Sequence, residues 1–190
     1  MSIGYIYIYV WISTLGGWTA ALRRMGCQVI AVDRADLAPH LMNDPKTTFV
    51  KGDAFTFQPP SYTSPSSSSS KQEQWMVSDI IAFPERVSEL LEDWCGNHMA
   101  QRMIVTVKFK GKEPSWEALD MAMTVAMKHG YVVRCKHFFN NKNEVTLMIV
   151  SSDTDLTTAL KSSSYYDNDD DDDGDWKMKS MFPIALPASK

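Results

Sequence analysis

The sequence predicts an α/β fold with a mostly parallel sheet, and two observations support that prediction. Short apolar runs bounded by polar residues, such as 29–32, 75–77 and 103–107, are typical of strands buried on both faces. These runs alternate with stretches that place apolar residues at helical spacing. In an open sheet of this kind the ligand crevice lies outside the carboxyl ends of the strands. Side chains that follow the strands are therefore the first candidates for a functional site.

The first half of the chain contains three predicted strands. Residues 3–12 alternate Tyr and Ile, which suits a strand. A Gly-Gly turn at 16–17 then leads into a helix over 19–25. Such a turn can bring backbone N–H groups up to a ligand, although the glycines alone predict no more than a tight βα turn. A second strand over 27–33, a short helix over 35–42 and a third strand over 47–51 follow.

The second half adds four strands and two longer helices. A fourth strand over 75–79 is expected beside the first, at the switch point of the sheet. The helices are predicted over 85–95, with Pro84 in the first turn, and over 116–129, with Gly130 as the C-terminal cap. On the first of these helices, we expect a core stripe of Val87, Leu90, Leu91 and Trp94. The last strands are predicted at 102–109, 131–139 and 144–150, the final two joined by a hairpin turn at 140–143.

Two tracts of biased composition interrupt the predicted fold. Residues 60–74 are rich in Ser, and such a segment buries too little apolar surface to offset its ordering entropy. We therefore expect a disordered insertion in a surface loop there. Seven Asp fall within 167–175, so 151–190 is expected to be a mostly disordered acidic tail. The remaining chain is predicted to be one domain over 1–150.

Charge and cysteine content limit the function classes. The formal net charge is −4, but without the seven Asp of the tail 16 of the 23 acidic residues remain, against 19 basic ones. A mildly basic surface permits a polyanionic partner. Cys27, Cys95 and Cys135 form no metal-binding pattern, which predicts reduced, mostly buried thiols in an intracellular, by default cytoplasmic, protein. No apolar run reaches the roughly 20 residues of a membrane helix, so we expect no membrane-spanning segment. Because the cysteines show no metal-binding pattern, we also expect no metal site.

Charged residues lie at the ends of the predicted strands. Asp33 follows the glycines by about 16 residues, near the sequence separation at which an acid commonly accepts hydrogen bonds from a ribose. A role as a helix cap would explain an Asp at this position equally well. Asp53 is a second candidate for nucleoside contact, or a turn residue. Asp79 and Lys108 fit either a catalytic pair or a structural ion pair, and Glu144 opens the last strand.

Six short motifs follow one another over residues 16–150. They are Gly16-Gly17-Trp18-Thr19, Ala31-Val32-Asp33, Lys51-Gly52-Asp53-Ala54-Phe55, Trp75-Met76-Val77-Ser78-Asp79, Val107-Lys108 and Glu144-Val145-Thr146. In this order and spacing they resemble the motifs of the FtsJ-type ribose 2′-O-methyltransferases, most nearly the RlmM-like branch that modifies large-subunit ribosomal RNA. No single motif is specific, whereas six in register are.

The resemblance implies a Rossmann-like fold of the S-adenosylmethionine-dependent methyltransferases, in which a C-terminal hairpin adds one antiparallel strand to a seven-stranded sheet. It implies S-adenosylmethionine as the cofactor and ribosomal RNA as the partner of a monomeric chain. The cofactor-binding residues that it implies are Gly16, Gly17, Trp18, Asp33, Asp53 and Asp79. The catalytic residues that it implies are Asp79, Lys108 and Glu144, the last three members of the family's Lys-Asp-Lys-Glu tetrad.

The chemistry of such a site follows from its residue types. A ribose 2′-hydroxyl is a poor nucleophile that must lose its proton as it attacks a sulfonium methyl group. Lys108 could take that proton as the general base, Asp79 would orient the lysine, and Glu144 would complete the polar network. In-line alignment of oxygen, methyl and sulfur should supply much of the rate.

The chain departs from the family at its first motif, which there reads Asp-Leu-Gly-x-x-Pro-Gly-Gly-Trp. Val10, Ile12 and Leu15 replace the acid, the first glycine and the proline, and a β-branched residue should hinder the close approach of a cofactor. The tetrad's first lysine has no match, since residues 1–15 contain neither Lys nor Arg. We therefore expect that 1–15 is not the authentic start and that activity is impaired. A non-catalytic module that binds RNA or protein is the alternative.

Overall fold

Seven strands and four helices make up the regular structure of the part of the chain that the computed structural model describes, which is residues 7–11, 16–59, 74–109, 115–138 and 143–152. The strands are β1 (Tyr7–Trp11), β2 (Gln28–Asp33), β3 (Thr47–Lys51), β4 (Gln74–Ser78), β5 (Arg102–Lys108), β6 (Tyr131–Lys136) and β7 (Glu144–Ser151). The helices are α1 (Gly17–Arg24), α2 (Pro39–Met42), α3 (Pro84–Gly96) and α4 (Trp116–Lys128).

All seven of these strands form one sheet, in the order β3-β2-β1-β4-β5-β7-β6. Paired strands among β1 to β5 are parallel, whereas β7 is antiparallel to both β5 and β6. The predicted fold class, a mostly parallel sheet with one antiparallel strand from a C-terminal hairpin, is confirmed. β4 pairs with β1, as expected at a switch point. The carboxyl ends of β1 to β5 and the amino end of β7 consequently lie along one edge of the sheet.

Several predicted boundaries were wrong by a few residues. α2 begins at Pro39 instead of residue 35, because the residue before a proline avoids helical angles, and Ala38 has φ −56° and ψ 140°. Gln74, predicted within the insertion, is the buried first residue of β4. β6 ends at Lys136 instead of residue 139. Residues 60–73 of the predicted insertion, most of the predicted hairpin turn and the tail beyond 152 lie outside the described residues.

Helices cover both faces of the sheet and enclose two cores. On one face α1 and α2 pack against a cluster that includes Val10, while on the other α3 and α4 pack against a larger cluster that includes Trp11. The indoles of Trp11 and Trp94 meet edge to face with their ring centroids 4.6 Å apart. The predicted stripe of α3 (Val87, Leu90, Leu91 and Trp94) is fully buried and is confirmed as core. Because successive strand residues point to opposite faces, β1 contributes to both cores.

The three cysteines are free thiols. Cys95 is buried, and burial raises the pKa of its thiol to about 12, with a smaller contribution from Glu92. Cys135 is half-buried, and burial raises its pKa to about 11. Cys27 is also half-buried, so the expectation of mostly buried thiols holds fully for Cys95 alone. Among the described helices, none has both the length and the apolar character to cross a membrane.

Candidate active site

Lys108 lies between two carboxylates at the carboxyl edge of the sheet. Its Nζ is 2.8 Å from Oδ1 of Asp79 and 3.9 Å from Oε2 of Glu144. The shorter distance is that of a charge-assisted hydrogen bond, whereas the longer one is an electrostatic contact beyond hydrogen-bond length. All three side chains are half-buried, so salt screens these charges less than it would on an open surface. The structure thus brings the three predicted residues together, while their catalytic role stays a prediction.

Backbone pairing fixes where these three side chains start. Lys108 is the last residue of β5, and its register partner on the antiparallel strand β7 is Glu144. Asp79 follows β4, and its backbone N–H donates to the carbonyl oxygen of Trp11 at 3.1 Å. That bond extends the pairing of β1 and β4 by one residue. The trio is therefore built from three strand ends, which makes its geometry a property of the sheet.

A pocket of about 270 Å³ opens at the same edge, farther along the sheet toward β3. Its walls come from the ends of β2 and β3 and from the loop between β4 and α3, which begins at Asp79. The residues that matter for its chemistry are Asp33, Arg34, Asp53, Phe55, Ile80 and Ile81. A pocket of about 270 Å³ that is lined by both carboxylates and apolar side chains has room for a small, partly polar ligand such as a nucleoside.

Asp33 lies at the end of β2 and lines this pocket. Its Oδ1 accepts a hydrogen bond from the backbone N–H of Ala35 at 3.0 Å, which forms a local turn. The helix-cap alternative is wrong, because the N-cap of α2 is Ala38 and that cap has no side-chain hydrogen bond. The carbonyl of Asp33 also accepts the N–H of Gly52 at 2.9 Å, which ties the ends of β2 and β3 together.

Asp53 is a turn residue, and its contact with a nucleoside stays a prediction. Its Oδ1 accepts the backbone N–H of Phe55 at 3.0 Å, as a turn residue does, and its Oδ2 is bound by the guanidinium of Arg34. The Phe55 N–H and then Arg34 hold the pKa of this carboxyl below its ordinary value. Asp53 also lines the pocket, so the turn presents the carboxylate to the place where a ligand would lie.

The two glycines of the turn before α1 have different surroundings. Gly16 has φ +91°, and a Cβ there would lie 2.5 Å from Cδ1 of Leu41, so the turn needs glycine for its conformation. A Cβ on Gly17 would meet nothing within 4 Å, and Trp18 is 41% exposed. The first N–H groups of a helix have no partner inside it. None of the three lines the described pocket.

The residues at the degenerate first motif belong to the cores. Val10, which stands where the FtsJ-type motif has an acid, and Trp11 are both 0% exposed. β1 is therefore a well-packed central strand, although it offers no carboxylate at position 10. Residues 12–15, where two further replacements lie, are outside the described residues.

Sequence reasoning missed several residues of the pocket. Arg34 immediately follows a predicted site residue, and its position one residue beyond β2 was the available signal. Ile80 and Ile81 follow Asp79 in the same way, and Ile81 is 79% exposed. Phe55 belongs to one of the six motifs, but that motif does not predict that its ring lines the pocket. Its ring also carries the guanidinium of Arg86, 4.5 Å from the ring centroid.

Curated relatives share the sequence of most of the chain. The ribosomal RNA large subunit methyltransferase M of Shewanella frigidimarina is 31% identical over 137 residues, which is 70% of this chain and 35% of that protein. The protein of the same name from Shewanella loihica is 32% identical over 138 residues, 70% of this chain and 36% of that protein. The chain thus spans little more than a third of the length of these relatives. No protein-family model matches the chain.

Solved structures agree on the fold. Magnesium protoporphyrin IX methyltransferase from Synechocystis PCC 6803, solved with bound SAM, has a TM-score of 0.55 at 14% identity and covers 80% of this chain and 72% of its own. A 1,6-didemethyltoxoflavin-N1-methyltransferase from Burkholderia thailandensis has a TM-score of 0.51 at 13% identity, with coverage of 76% and 69%. The chain accordingly has the Rossmann-like fold of S-adenosylmethionine-dependent methyltransferases, and over about 70% of its length its sequence is similar to proteins named ribosomal RNA large subunit methyltransferase M.

Proposed function

We propose that this chain is an S-adenosylmethionine-dependent methyltransferase of the FtsJ type that methylates ribose 2′-hydroxyl groups of ribosomal RNA. The observation that best supports the proposal is the position of the Lys108 amine, 2.8 Å from Asp79 and 3.9 Å from Glu144. This trio lies at the same sheet edge as a pocket suited to a nucleoside. A base beside a nucleoside pocket is the arrangement that transfer to a hydroxyl group requires.

The described residues fit the proposed cofactor. Asp33 and Asp53 offer carboxylate oxygens to the hydroxyl and amino donors of an adenosine, and Phe55 and Ile80 offer apolar walls to its base. The first N–H groups of α1 suit a carboxylate, which the methionine part supplies. When bound, S-adenosylmethionine would provide a methyl group on a positively charged sulfur, a strong electrophile.

Lys108 performs the proton transfer in this proposal. Its Nζ, in the amine form, accepts the proton of the ribose 2′-hydroxyl while the oxygen forms its new bond to the methyl carbon. Bound S-adenosylmethionine would supply that methyl group, with the carbon–sulfur bonding pair left on sulfur. The proton ends on Nζ, where the carboxylate of Asp79 stabilises the ammonium. Side chains of this chain therefore both remove the hydroxyl proton and stabilise the positive charge that it creates.

Asp79 and Glu144 act on Lys108 as positioning residues. Asp79 makes a hydrogen bond that fixes the direction of the amine, whereas Glu144 acts only through its charge at 3.9 Å. A correctly oriented base matters because transfer needs the hydroxyl oxygen, the methyl carbon and the sulfur in line. The rigid ends of β5 and β7 provide that orientation.

Ribosomal RNA is the proposed substrate because the relatives' names specify it. The mildly basic charge of the chain without its acidic tail is compatible with a polyanion. Action on ribosomal RNA also implies an intracellular protein, and we propose that it works as a monomer.

Replacing the base tests this function. Lys108→Ala should lower methyl transfer from labelled S-adenosylmethionine to undermethylated ribosomal RNA by about 100-fold or more, since a general base contributes on that order. Lys128→Ala is the matched control, because Lys128 pairs with Glu92 on the α3–α4 side, 3.2 Å away. Full activity in Lys108→Ala would refute the assignment of the base.

A non-catalytic binding module remains the second candidate, and one observation favours it. Position 10 carries a fully buried valine, where the FtsJ-type motif that the chain resembles has an acid. A module of this kind should bind RNA without binding S-adenosylhomocysteine, whereas the enzyme should bind both.

A further inference from the structure

The ion pair between Arg34 and Asp53 lies across the nucleoside pocket. Arg34 comes one residue after β2, and Asp53 comes two residues after β3. Both residues line the pocket, and the Arg34 guanidinium binds Oδ2 of Asp53. Because the two residues start from neighbouring strands, their contact joins two walls of the same opening.

The contact occupies the oxygen that a ligand would use. Oδ1 of Asp53 already accepts the Phe55 N–H at 3.0 Å, which holds the turn. Oδ2 is the remaining oxygen, and Arg34 binds it. A carboxylate oxygen can accept more than one hydrogen bond, so a ligand amino or hydroxyl group that seeks Oδ2 either shares it with the guanidinium or displaces the guanidinium.

The ion pair between Arg34 and Asp53 should also break easily. The Arg34 side chain is 77% exposed, whereas that of Asp53 is 32% exposed, so the arginine is the more solvent-accessible partner of the pair. Exposed ion pairs are weak, because water and salt screen them. The arginine can thus move into solvent without losing a packed environment.

A second arginine nearby does not share this position. Arg86 lies over the ring of Phe55 and binds the carboxylate of Glu89. Its charge reaches Asp53 through space, but its guanidinium lies over the Phe55 ring and does not line the pocket. Among the described contacts of the Asp53 carboxylate, Arg34 is the side chain bonded to it.

We propose that Arg34 is a latch on the nucleoside pocket, a positioning residue that occupies Oδ2 of Asp53 until an adenosine-containing ligand displaces it. The inference rests on the proposed function, since it concerns the site that would hold the cofactor. In this proposal, only molecules in which the Arg34–Asp53 pair is broken can bind the ligand at Oδ2, so the apparent association constant is the intrinsic one multiplied by the fraction of such molecules. Arg34 therefore sets how tightly, and with what salt dependence, the adenosine end is bound.

Calorimetric titration with S-adenosylhomocysteine tests the latch on the full chain. Arg34→Gln should bind the ligand about two- to fivefold more tightly than the unaltered protein, the range expected from an exposed ion pair. Raising the salt concentration should strengthen binding to the unaltered protein and leave Arg34→Gln unchanged. Lys51→Gln is the control with the same charge change, because Lys51 pairs with Asp36 at 2.9 Å and does not line the pocket.

A double substitution shows whether Arg34 acts through Asp53. In an Asp53→Asn background, Arg34→Gln should no longer change the affinity, which a general effect of surface charge would not predict. Binding by Arg34→Gln but not by the unaltered chain would support the latch. Equal or weaker binding by Arg34→Gln would overturn it and leave the proposed function intact. An absence of binding in every variant would overturn both.

Discussion

The two ends of the candidate site engage their carboxylates in different ways. At the β2–β3 end, Asp33 and Asp53 each accept a backbone N–H from two residues farther along the chain. At the β4–β5–β7 end, Asp79 and Glu144 both face one lysine that lies far from them in sequence. The first end is assembled from local turns, and the second from the register of the sheet.

This difference suggests how each end would respond to change. A local turn keeps its geometry when a distant strand shifts, so the pocket should tolerate alterations near Lys108. The trio depends on the hairpin that brings Glu144 opposite Lys108, so it should be sensitive to the alignment of β7. Substitutions at the two ends should accordingly separate ligand binding from the rate of transfer.

The largest expected effect concerns the two carboxylates beside Lys108. Asp79→Asn should lower the rate constant for methyl transfer by about 100-fold, on the scale of groups that support proton transfer. Glu144→Gln should lower it by less, about tenfold, because Coulomb energy falls with distance and its oxygen is 3.9 Å away instead of 2.8 Å. Single-turnover kinetics on ribosomal RNA measures both.

The two variants serve as controls for each other. Each replaces a carboxylate with an amide of the same shape at a half-buried position, so their effects on folding should be similar. Equal losses of rate, or a larger loss in Glu144→Gln, would contradict the roles assigned from these distances.

A smaller effect is expected at the glycine turn, which lies between the two ends. Gly16→Ala should destabilise the fold by about 1–3 kcal/mol, because φ +91° is strained for any residue with a Cβ. The nearby Leu41 methyl can move, so the backbone should account for most of the cost. Gly17→Ala should change the free energy of unfolding by less than about 0.5 kcal/mol, since its Cβ meets open space. Urea unfolding compares the two, and equal losses would contradict the turn geometry.

The smallest effect distinguishes the two partners of Asp53. The pKa of this carboxyl lies below its ordinary value of 3.8, first because of the Phe55 N–H and then because of Arg34. A lowered pKa means that the ionised carboxylate stabilises the fold above the unfolded-state pKa, and that this contribution is lost as the pH falls through the folded-state pKa. Arg34→Gln should raise the pKa but leave it below 3.8, because the N–H remains.

Carbon-13 NMR of the carboxyl group during an acid titration measures that change. Lys51→Gln should leave the pKa of Asp53 where it is, since that lysine binds Asp36. An unchanged pKa in Arg34→Gln would mean that the ion pair is absent in solution, and the latch would fail with it.

The sequence predicts much of the sheet and the trio, because both depend on simple patterns. Continuous apolar runs identified the strands, and the rule that ligands lie at carboxyl ends identified Asp79 and Lys108 before any contact was known. Glu144 depended on the resemblance, since only an antiparallel final strand brings it to that edge. Helical spacing alone predicts too early a start for α2, because Pro39 keeps Ala38 out of helical angles.

The partners of the pocket residues could not be predicted in the same way. Arg34 and Asp53 are 19 residues apart, and their contact depends on how two loops leave neighbouring strands. The exposed Ile81 likewise carries no periodic signal that separates a pocket wall from an ordinary loop residue. Such contacts require the three-dimensional positions of the loops, which apolar patterns do not determine.

Titration of S-adenosylhomocysteine into the chain, followed by calorimetry, tests the central claim most directly. The claim is that a nucleoside pocket and a separate base lie at one sheet edge. It predicts saturable binding that Asp33→Asn weakens by about tenfold, as the loss of a charge-assisted hydrogen bond should, although the amide can still accept the Ala35 N–H. Lys108→Ala should bind as the unaltered chain does. No binding at millimolar ligand, or binding lost in Lys108→Ala and kept in Asp33→Asn, would contradict it.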